Sequence, residues 1–355
     1  MNTSGDISSE LQHTVLESIA QRTPLQIIGG SSKAFYGREQ QGKPLSVAAH
    51  HGIVSYEPTE LFITARAGTR LADIETLLAQ HGQSLPFEPP LFSAESSLGG
   101  AIACGLSGPR RPYAGSARDF VLGMKILTGK GEILKFGGQV IKNVAGFDVS
   151  RLMTGSMGTL GVLLEISIKV LPRPEKEQTR IFECSADHAI KYMNNWAARP
   201  LPLSAATFDG QHLYVRLSGS VAALTAAQEK LGGELLAEEN PFWGSVRNQT
   251  ATFFQTDDPL WRISLPAATP PLQLEGACLI DWGGAQRWLK TSETAEKIRS
   301  LLVQTGGHAS LFRGGDRTGD VFHPLSKPIA ILHRRLKAAF DPHGLLNPGR
   351  MYREF

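Results

Sequence analysis

The sequence predicts an α+β fold in two unequal parts, and three observations carry that expectation. Three glycine clusters, Gly29-Gly30-Ser31-Ser32, Gly99-Gly100 and Gly155-Ser156-Met157-Gly158-Thr159-Leu160-Gly161, are spread over about half the chain, each where a strand begins or ends. Two prolines and a charge run, Pro172-Arg173-Pro174-Glu175-Lys176-Glu177, then break the apolar pattern. Beyond them strands and helices alternate in short units, as expected of a smaller α+β part with an antiparallel sheet. The limits this suggests are 1–175, 176–325, and a C-terminal helix and tail at 326–355.

Each element has a local reason. Ser9 with Gln12 reads as a capping box for a first helix, with Leu11, Val15, Leu16 and Ile19 on one face. Leu25 to Ile28 is a short apolar strand leading into the first glycine cluster, and further strands are expected at Ser46 to Ala48 and Leu61 to Arg66. Thr69 can cap a helix carrying Leu71, Ile74 and Leu78 on one face, and Gly82 can end it. Phe87 to Gly115 is far longer than an ordinary connection, and Leu98, Ile102 and Leu106 among its small residues predict an ordered loop that packs. Val121 to Thr128 and Glu132 to Phe136 flank a Gly129-Lys130-Gly131 turn as a hairpin, and Gly161 to Leu171 reads as a buried strand.

Past the proline break the pattern predicts a strand at Arg180 to Cys184, a helix at Asp187 to Ala197, two strands around Asp209-Gly210 and a helix at Val221 to Leu231. A weaker second round has a strand at Cys278 to Trp282, a helix after Ser292 and a strand at His308 to Phe312. The final helix carries Ile329, Leu332, Leu336 and Phe340 on one face and stops at Asp341-Pro342.

Composition narrows the function classes. With 36 basic against 33 acidic side chains, the charge balance implies neither nucleic acid nor an acidic membrane as an obligatory partner. Cys104, Cys184 and Cys278 are far apart and form no C-x-x-C pair, which argues against a disulfide framework or an iron–sulfur or zinc site and fits a reducing compartment. Met1 to Gln12 lacks a signal-peptide pattern, and no apolar run approaches a membrane span.

The glycine clusters carry the chemistry. Bare backbone N–H groups at several turns can converge on one large anionic ligand, and a Cβ would obstruct its close approach. No Walker loop is present, since no Gly-Lys-Ser or Gly-Lys-Thr follows, and Ala49 stands where a Rossmann fold would need an acidic ribose ligand. Four segments in order then matter: Gly29 to Ser32; Glu95 to Gly108 with Tyr113-Ala114-Gly115; Gly155 to Leu164; and Asp341-Pro342-His343-Gly344-Leu345-Leu346-Asn347-Pro348-Gly349-Arg350.

With these segments the chain resembles flavoproteins of the vanillyl-alcohol oxidase and p-cresol methylhydroxylase (PCMH) type, over residues from about 20 to 175 and the final 20. Val140-Ile141-Lys142-Asn143-Val144-Ala145-Gly146-Phe147 through Leu152 resembles the glycolate and D-lactate dehydrogenase branch, and Leu106 to Gly115 is similar to the FAD-binding subunits of bacterial glycolate oxidases. The resemblance implies a two-subdomain PCMH-type FAD-binding domain followed by a smaller α+β cap, with the tail returning to the flavin. It implies FAD held with Gly29, Gly30, Ser31 and Ser32 at the pyrophosphate, Ser96, Ser97, Gly99, Gly100, Ala103 and Ser107 at the flavin and ribityl chain, Gly158, Gly161 and Val162 at the adenosine end, and Asn347 over the ring. It further implies a complex with a catalytic-type flavoprotein subunit and an iron–sulfur subunit that oxidises glycolate, a small hydroxy acid, to glyoxylate, with this chain's flavin relaying electrons or serving structure. The chain would be cytoplasmic, or peripheral on the cytoplasmic face of the inner membrane through its partners, with no nucleic-acid partner.

Departures from that pattern are informative. Residues 27–37 contain neither the histidine nor the cysteine by which relatives attach FAD, so non-covalent FAD is expected, with Cys104 read as a packed small residue. Phe147 stands where the glycolate and D-lactate dehydrogenase branch usually has tyrosine, and Met157 where the catalytic relatives usually have an acidic residue. Those relatives also carry paired metal-binding histidines; here His308 and His323 are 15 residues apart, not ligand spacing on one element, and no metal is expected. Arg313 is a candidate carboxylate ligand or a partner of Asp316 or Asp320, and Arg110-Arg111 a contact for a phosphate or a partner's acid or simply a solvated loop. Two other readings stay open: a self-sufficient FAD oxidase, and a flavin-free assembly scaffold.

Overall fold

A computed structural model describes residues 5–138, 148–237 and 241–355. The whole Val140–Phe147 run, Phe147 included, lies outside them. The chain is α+β, built on two main sheets. The first has five antiparallel strands in the order Ile53–Glu57, Phe62–Arg66, Val162–Lys169, Val121–Leu127, Ile133–Gly137. Val162–Lys169 is its central strand, and that position on the buried face explains its near-continuous apolar run. The helices Leu71–Gln80 and Leu98–Cys104 pack on one face through Leu71, Ile74, Leu78, Leu98 and Ile102. On the other face the Ser8–Gln21 helix and a small parallel pair, Leu25–Ile28 with Lys43–Ser46, bury Leu11, Val15, Leu25 and Leu45 against Val162 and Leu164.

The second sheet has eight strands, in the order Glu234–Leu235, Lys176–Glu183, His212–Gly219, Leu203–Phe208, Ala277–Asp281, Gln286–Lys290, Leu260–Ser264, His308–Arg313. It consists of one β-α-β-β-α-β unit and one β-β-β-α-β unit joined edge to edge. The first contains the Ala186–Ala197 and Val221–Leu231 helices, and the second repeats the strand order in mirror sequence along the sheet. In the second unit only the Ala295–Val303 helix remains; residues 265–276 run from strand to strand without one. That omission is why the second round is the weaker in the sequence.

Local physics corrects several expectations. The first helix begins at Ser8 and has no capping box: the Asp6 carboxylate accepts from the Ser8 N–H instead, and Leu16 stays exposed. Thr69 does not cap the next helix, because its hydroxyl is bonded to the Gly52 backbone. Phe87–Gly115 is ordered, as expected, but contains the Leu98–Cys104 helix, capped by Ser97, whose Oγ accepts from Gly100 N at 3.3 Å. The Lys327–Phe340 helix packs through Leu336 and Phe340, whereas Ile329 and Leu332 remain exposed in its first turns.

The C-terminal segment is docked by a buried ion pair. Lys337 Nζ lies 2.6 Å from Asp341 Oδ2 and donates to the Thr159 and Leu346 carbonyls at 2.8 and 2.7 Å. Asp341 in turn accepts from the N–H groups of Leu345 and Leu346. These bonds bring Leu345 beside Leu25, whose N–H donates to the Leu345 carbonyl at 2.8 Å. Asp341→Ala strands the Lys337 ammonium without its counter-charge and should lower the unfolding free energy by about 3–5 kcal/mol, read from urea denaturation.

Candidate functional site

A cleft of about 860 Å³ opens between the small parallel pair and the five-stranded sheet. All three glycine clusters and the C-terminal tail reach its wall. Gly29, Gly30, Ser31 and Ser32 follow the Leu25–Ile28 strand; Ser97, Gly99, Gly100 and Ala103 come from the capped helix; Gly158 and Gly161 precede the central strand; Asn347 closes the tail side. Asn347 joins two of these segments. Its Oδ1 accepts from Ile27 N and its Nδ2 donates to the Met157 carbonyl, both at 2.7 Å.

The backbone is held in unfavourable conformations around this cleft. Ser31, Met157 and Asn347 have φ of 53°, 53° and 44°, and all three line it. Non-glycine residues in that region persist only where their surroundings over-determine them, and they gather at ligand sites. The glycines differ in what they permit. A Cβ on Gly30 would overlap the Glu95 carbonyl oxygen, and one on Gly99 would come within 2.7 Å of Ala67 Cβ, so both serve chain packing. A Cβ on Gly100 would meet only Ser97 Oγ, at 3.2 Å, which leaves Gly100 free to take a ligand against its backbone.

Three expected residues do not line the cleft. Ser96 is buried behind it, with its Oγ 3.0 Å from Ser32 Oγ, and so supports the first loop. Ser107 accepts from Ala117 N at 3.0 Å and borders a separate, narrower cavity under the eight-stranded sheet. Val162 is directed into the core beside Leu127 and Leu164, while its neighbours Gly161 and Leu163 reach the cleft. The sequence reading missed Lys33 and Arg350. Lys33 follows the first loop and Arg350 ends the tail; each was visible as a cation beside a glycine-rich turn, but their shared cleft was not.

Both cations are buried. Burial pushes the Lys33 ammonium below its ordinary value and brings Arg350 down to about 10. Cys104, read from sequence as a packed residue, packs against this region and also lines the cleft; burial raises its thiol, with Lys33 and Arg350 opposing that rise. No carboxylate lies within ion-pair distance of Lys33 or Arg350 among the described residues. The cleft therefore suits an anion, and its glycine walls suit a flat group: features that fit a dinucleotide such as FAD.

The side facing the eight-stranded sheet is packed with rings. Phe312 lies 5.0 Å from Tyr36, 5.4 Å from Phe35 and 4.8 Å from Trp288, and Phe35 lies 5.3 Å from Phe92. The narrower cavity there holds Arg262, Asp281 and Gln286, already engaged: Arg262 Nε donates to Gln286 Oε1 at 2.7 Å, and Asp281 accepts from the Thr207 hydroxyl and Trp282 N at 2.8 Å. Arg313 pairs with neither Asp316 nor Asp320. It donates to Gln249 Oε1 at 2.8 Å and lies over the Phe35 ring. Arg110 is not a solvated loop residue but bonds Glu88 and Glu177, and Arg111 covers the Trp282 ring. The His308 and His323 rings are 6.3 Å apart, and among the described residues no three His, Cys, Asp or Glu side chains are grouped to hold a metal. No helix among the described residues is long and apolar enough to cross a membrane.

Comparisons with known proteins fit this geometry. A family model described as an FAD binding domain matches residues 8–137. The chain is 50% identical to the glycolate oxidase subunit GlcE of Escherichia coli, over 98% of both chains. It is 33% identical to the glycolate oxidase subunit GlcD of Bacillus subtilis, covering 84% of this chain and 77% of that one. A solved alkyldihydroxyacetonephosphate synthase shares the fold with a TM-score of 0.66 at 15% identity, over 96% of this chain and 75% of that chain.

Two predictions follow from the packing. Gly30→Ala should lower the melting temperature by more than about 5 °C, whereas Gly100→Ala should leave it nearly unchanged, as read by thermal unfolding. Burial raises the Asp281 carboxyl from 3.8 to about 6, so the folded state keeps a proton that the unfolded chain has released. The associated stability is present below about pH 4 and lost as pH rises to about 6, a change of about 3 kcal/mol. Asp281→Asn should therefore gain stability relative to the parent protein across that window, and parallel pH profiles would contradict the assignment.

Proposed function

Since the chain belongs to the FAD-binding flavoprotein family that contains the glycolate oxidase subunits, we propose that it is the FAD-holding subunit of a multisubunit complex oxidising glycolate to glyoxylate. Its partners are a catalytic-type flavoprotein subunit and an iron–sulfur subunit, and it meets the cytoplasmic face of the inner membrane only through them. The observation that carries the reading is the contrast between the two sides of the cleft. One offers strained loops, bare glycine backbone and two cations without carboxylate partners among the described residues; the other offers packed rings and polar groups already engaged with one another.

In this reading Gly29 to Ser32 receive the pyrophosphate, with Ser96 bracing Ser32; Gly99, Gly100 and Ala103 lie along the flavin; Gly158 and Gly161 face the adenosine end. Asn347 is a positioning residue, since its amide is spent on Ile27 and Met157. Bound FAD supplies two-electron redox chemistry. The chain binds it, orients it and excludes water from its cap side. FAD is non-covalent in this proposal, with Cys104 as wall rather than attachment point, and the working limits are an FAD-binding part at 1–175, a cap at 176–325 and a returning tail at 326–355.

The test is to purify the chain alone and with its companion subunits, record the flavin spectrum, and add glycolate without oxygen. The expected result is FAD that acid precipitation releases, unreduced by glycolate in the isolated chain and reduced in the complex. Reduction of the isolated chain at the rate of the complex would make it a self-sufficient oxidase instead. Protein that neither carries nor accepts FAD would mark a scaffold.

A further inference from the structure

Two lysines are buried among the described residues, and they are treated in opposite ways. Lys337 has a carboxylate and two carbonyls, all within 2.8 Å of Nζ. Lys33 is only 6% exposed, yet its amine has one long hydrogen bond, to Ser32 Oγ at 3.4 Å, and the Phe92 ring 5.5 Å from it. Arg350 stands behind it and spends its guanidinium on carbonyls, those of Lys33, Ala34 and Arg38. That arrangement orders the turn after the first glycine cluster but adds no negative charge. A buried cation without a counter-ion is costly, and a methionine at position 33 would fill similar space without that cost. Among the described residues no carboxylate lies within ion-pair distance of this ammonium.

We propose that Lys33, with Arg350 behind it, is a diphosphate subsite: the bridging diphosphate of a dinucleotide supplies the missing counter-charge, so ligand binding and the stability of the ligand-free fold are set by the same residue. This rests on the reading that the cleft holds FAD. Position supports the diphosphate over the other anionic locus of a flavin, the reduced ring, because Lys33 directly follows Ser31-Ser32 and its amine already leans on Ser32 Oγ. Anionic oxygens at that loop would receive both loop N–H groups and a charged donor, and charge-assisted bonds are roughly twice as strong as neutral ones.

The subsite has a signature that a merely structural lysine lacks. Removing the charge should weaken the holo protein and strengthen the ligand-free one, because the same ammonium is an asset with the diphosphate and a liability without it. Burial holds the Lys33 ammonium below its ordinary value in the ligand-free protein, and a neighbouring dianion raises it again, so binding takes up protons and weakens as pH climbs through that lowered value.

The experiment titrates ligand-free parent, Lys33→Met and Lys33→Arg proteins with FAD, ADP and riboflavin, and records the melting temperature of each without ligand. Lys33→Met should bind ADP and FAD about 10- to 100-fold more weakly, bind riboflavin within about twofold of the parent, and melt higher when ligand-free. Lys33→Arg should retain ADP binding. In the parent, ADP affinity should fall with added salt while riboflavin affinity holds, which tests the subsite even if Lys33→Met fails to fold. Unchanged ADP affinity in Lys33→Met, equal losses for ADP and riboflavin, or unchanged affinities with a shifted flavin potential would each overturn the diphosphate assignment. A parent protein that binds neither FAD nor ADP would overturn the FAD reading itself, and the parent titration alone identifies that failure.

Discussion

The cleft depends on a side-chain amide that ties together two segments distant in sequence. Asn347 bonds Ile27 through its oxygen and Met157 through its nitrogen, so the strand before the first glycine loop and the turn of the third are held at one separation. That amide can do this only because the tail carrying it is docked, and the docking is performed by the buried Lys337–Asp341 pair. The pair is a weak source of net stability, since both groups lose water on burial, but it is specific: misplaced, either charge would be left bare. A cleft assembled from loops that no single supersecondary unit brings together needs a constraint of this kind.

The cleft itself is locally unfavourable by design of its residues. Positive φ at Ser31, Met157 and Asn347, the unpartnered hydroxyl of Ser156 and the bare charge of Lys33 are concentrated on or beside one wall. The surrounding framework that supports them is the five-stranded sheet and the helices packed on it. Such a distribution is that of a preorganised site, where the fold bears the strain before ligand arrives.

Legibility in the sequence followed the range of the interactions. Strands and helices with strong periodicity, such as Leu25–Ile28, Leu71–Gln80 and Val221–Leu231, stand where their patterns place them. Elements defined by their neighbours were hidden. Leu98–Cys104 is a helix written in glycine and alanine, and Ile53–Glu57, Leu260–Ser264 and Gln286–Lys290 are short strands whose identity comes from pairing. Apolar identity misled where burial depends on the rest of the fold: Leu16, Ile329 and Leu332 share their predicted faces yet stay exposed. In the cleft, glycines were visible because backbone freedom is a local property. Lys33 and Arg350 were not, because lacking a counter-charge is a property of three dimensions.

The eight-stranded sheet sharpens the difference between holding a cofactor and using it. It is fastened to the FAD-binding part by charge pairs, Arg216 on Glu88, Arg110 on Glu177 and Arg247 on Glu75, and by the Trp282 indole donating to the Gly108 carbonyl. Between these fasteners Tyr36, Phe92, Trp288 and Phe312 interlock. An enzyme that admits a hydroxy acid to its flavin needs a polar chamber beside the ring, with a base and a carboxylate ligand left free for the substrate. Here Asp281 is spent on Thr207 and Trp282, Arg262 on Gln286, and Arg313 on Gln249. Under the proposed role this is coherent: a cap that seals the flavin away from small molecules fits a flavin that serves a neighbouring subunit, as electron relay or as structure.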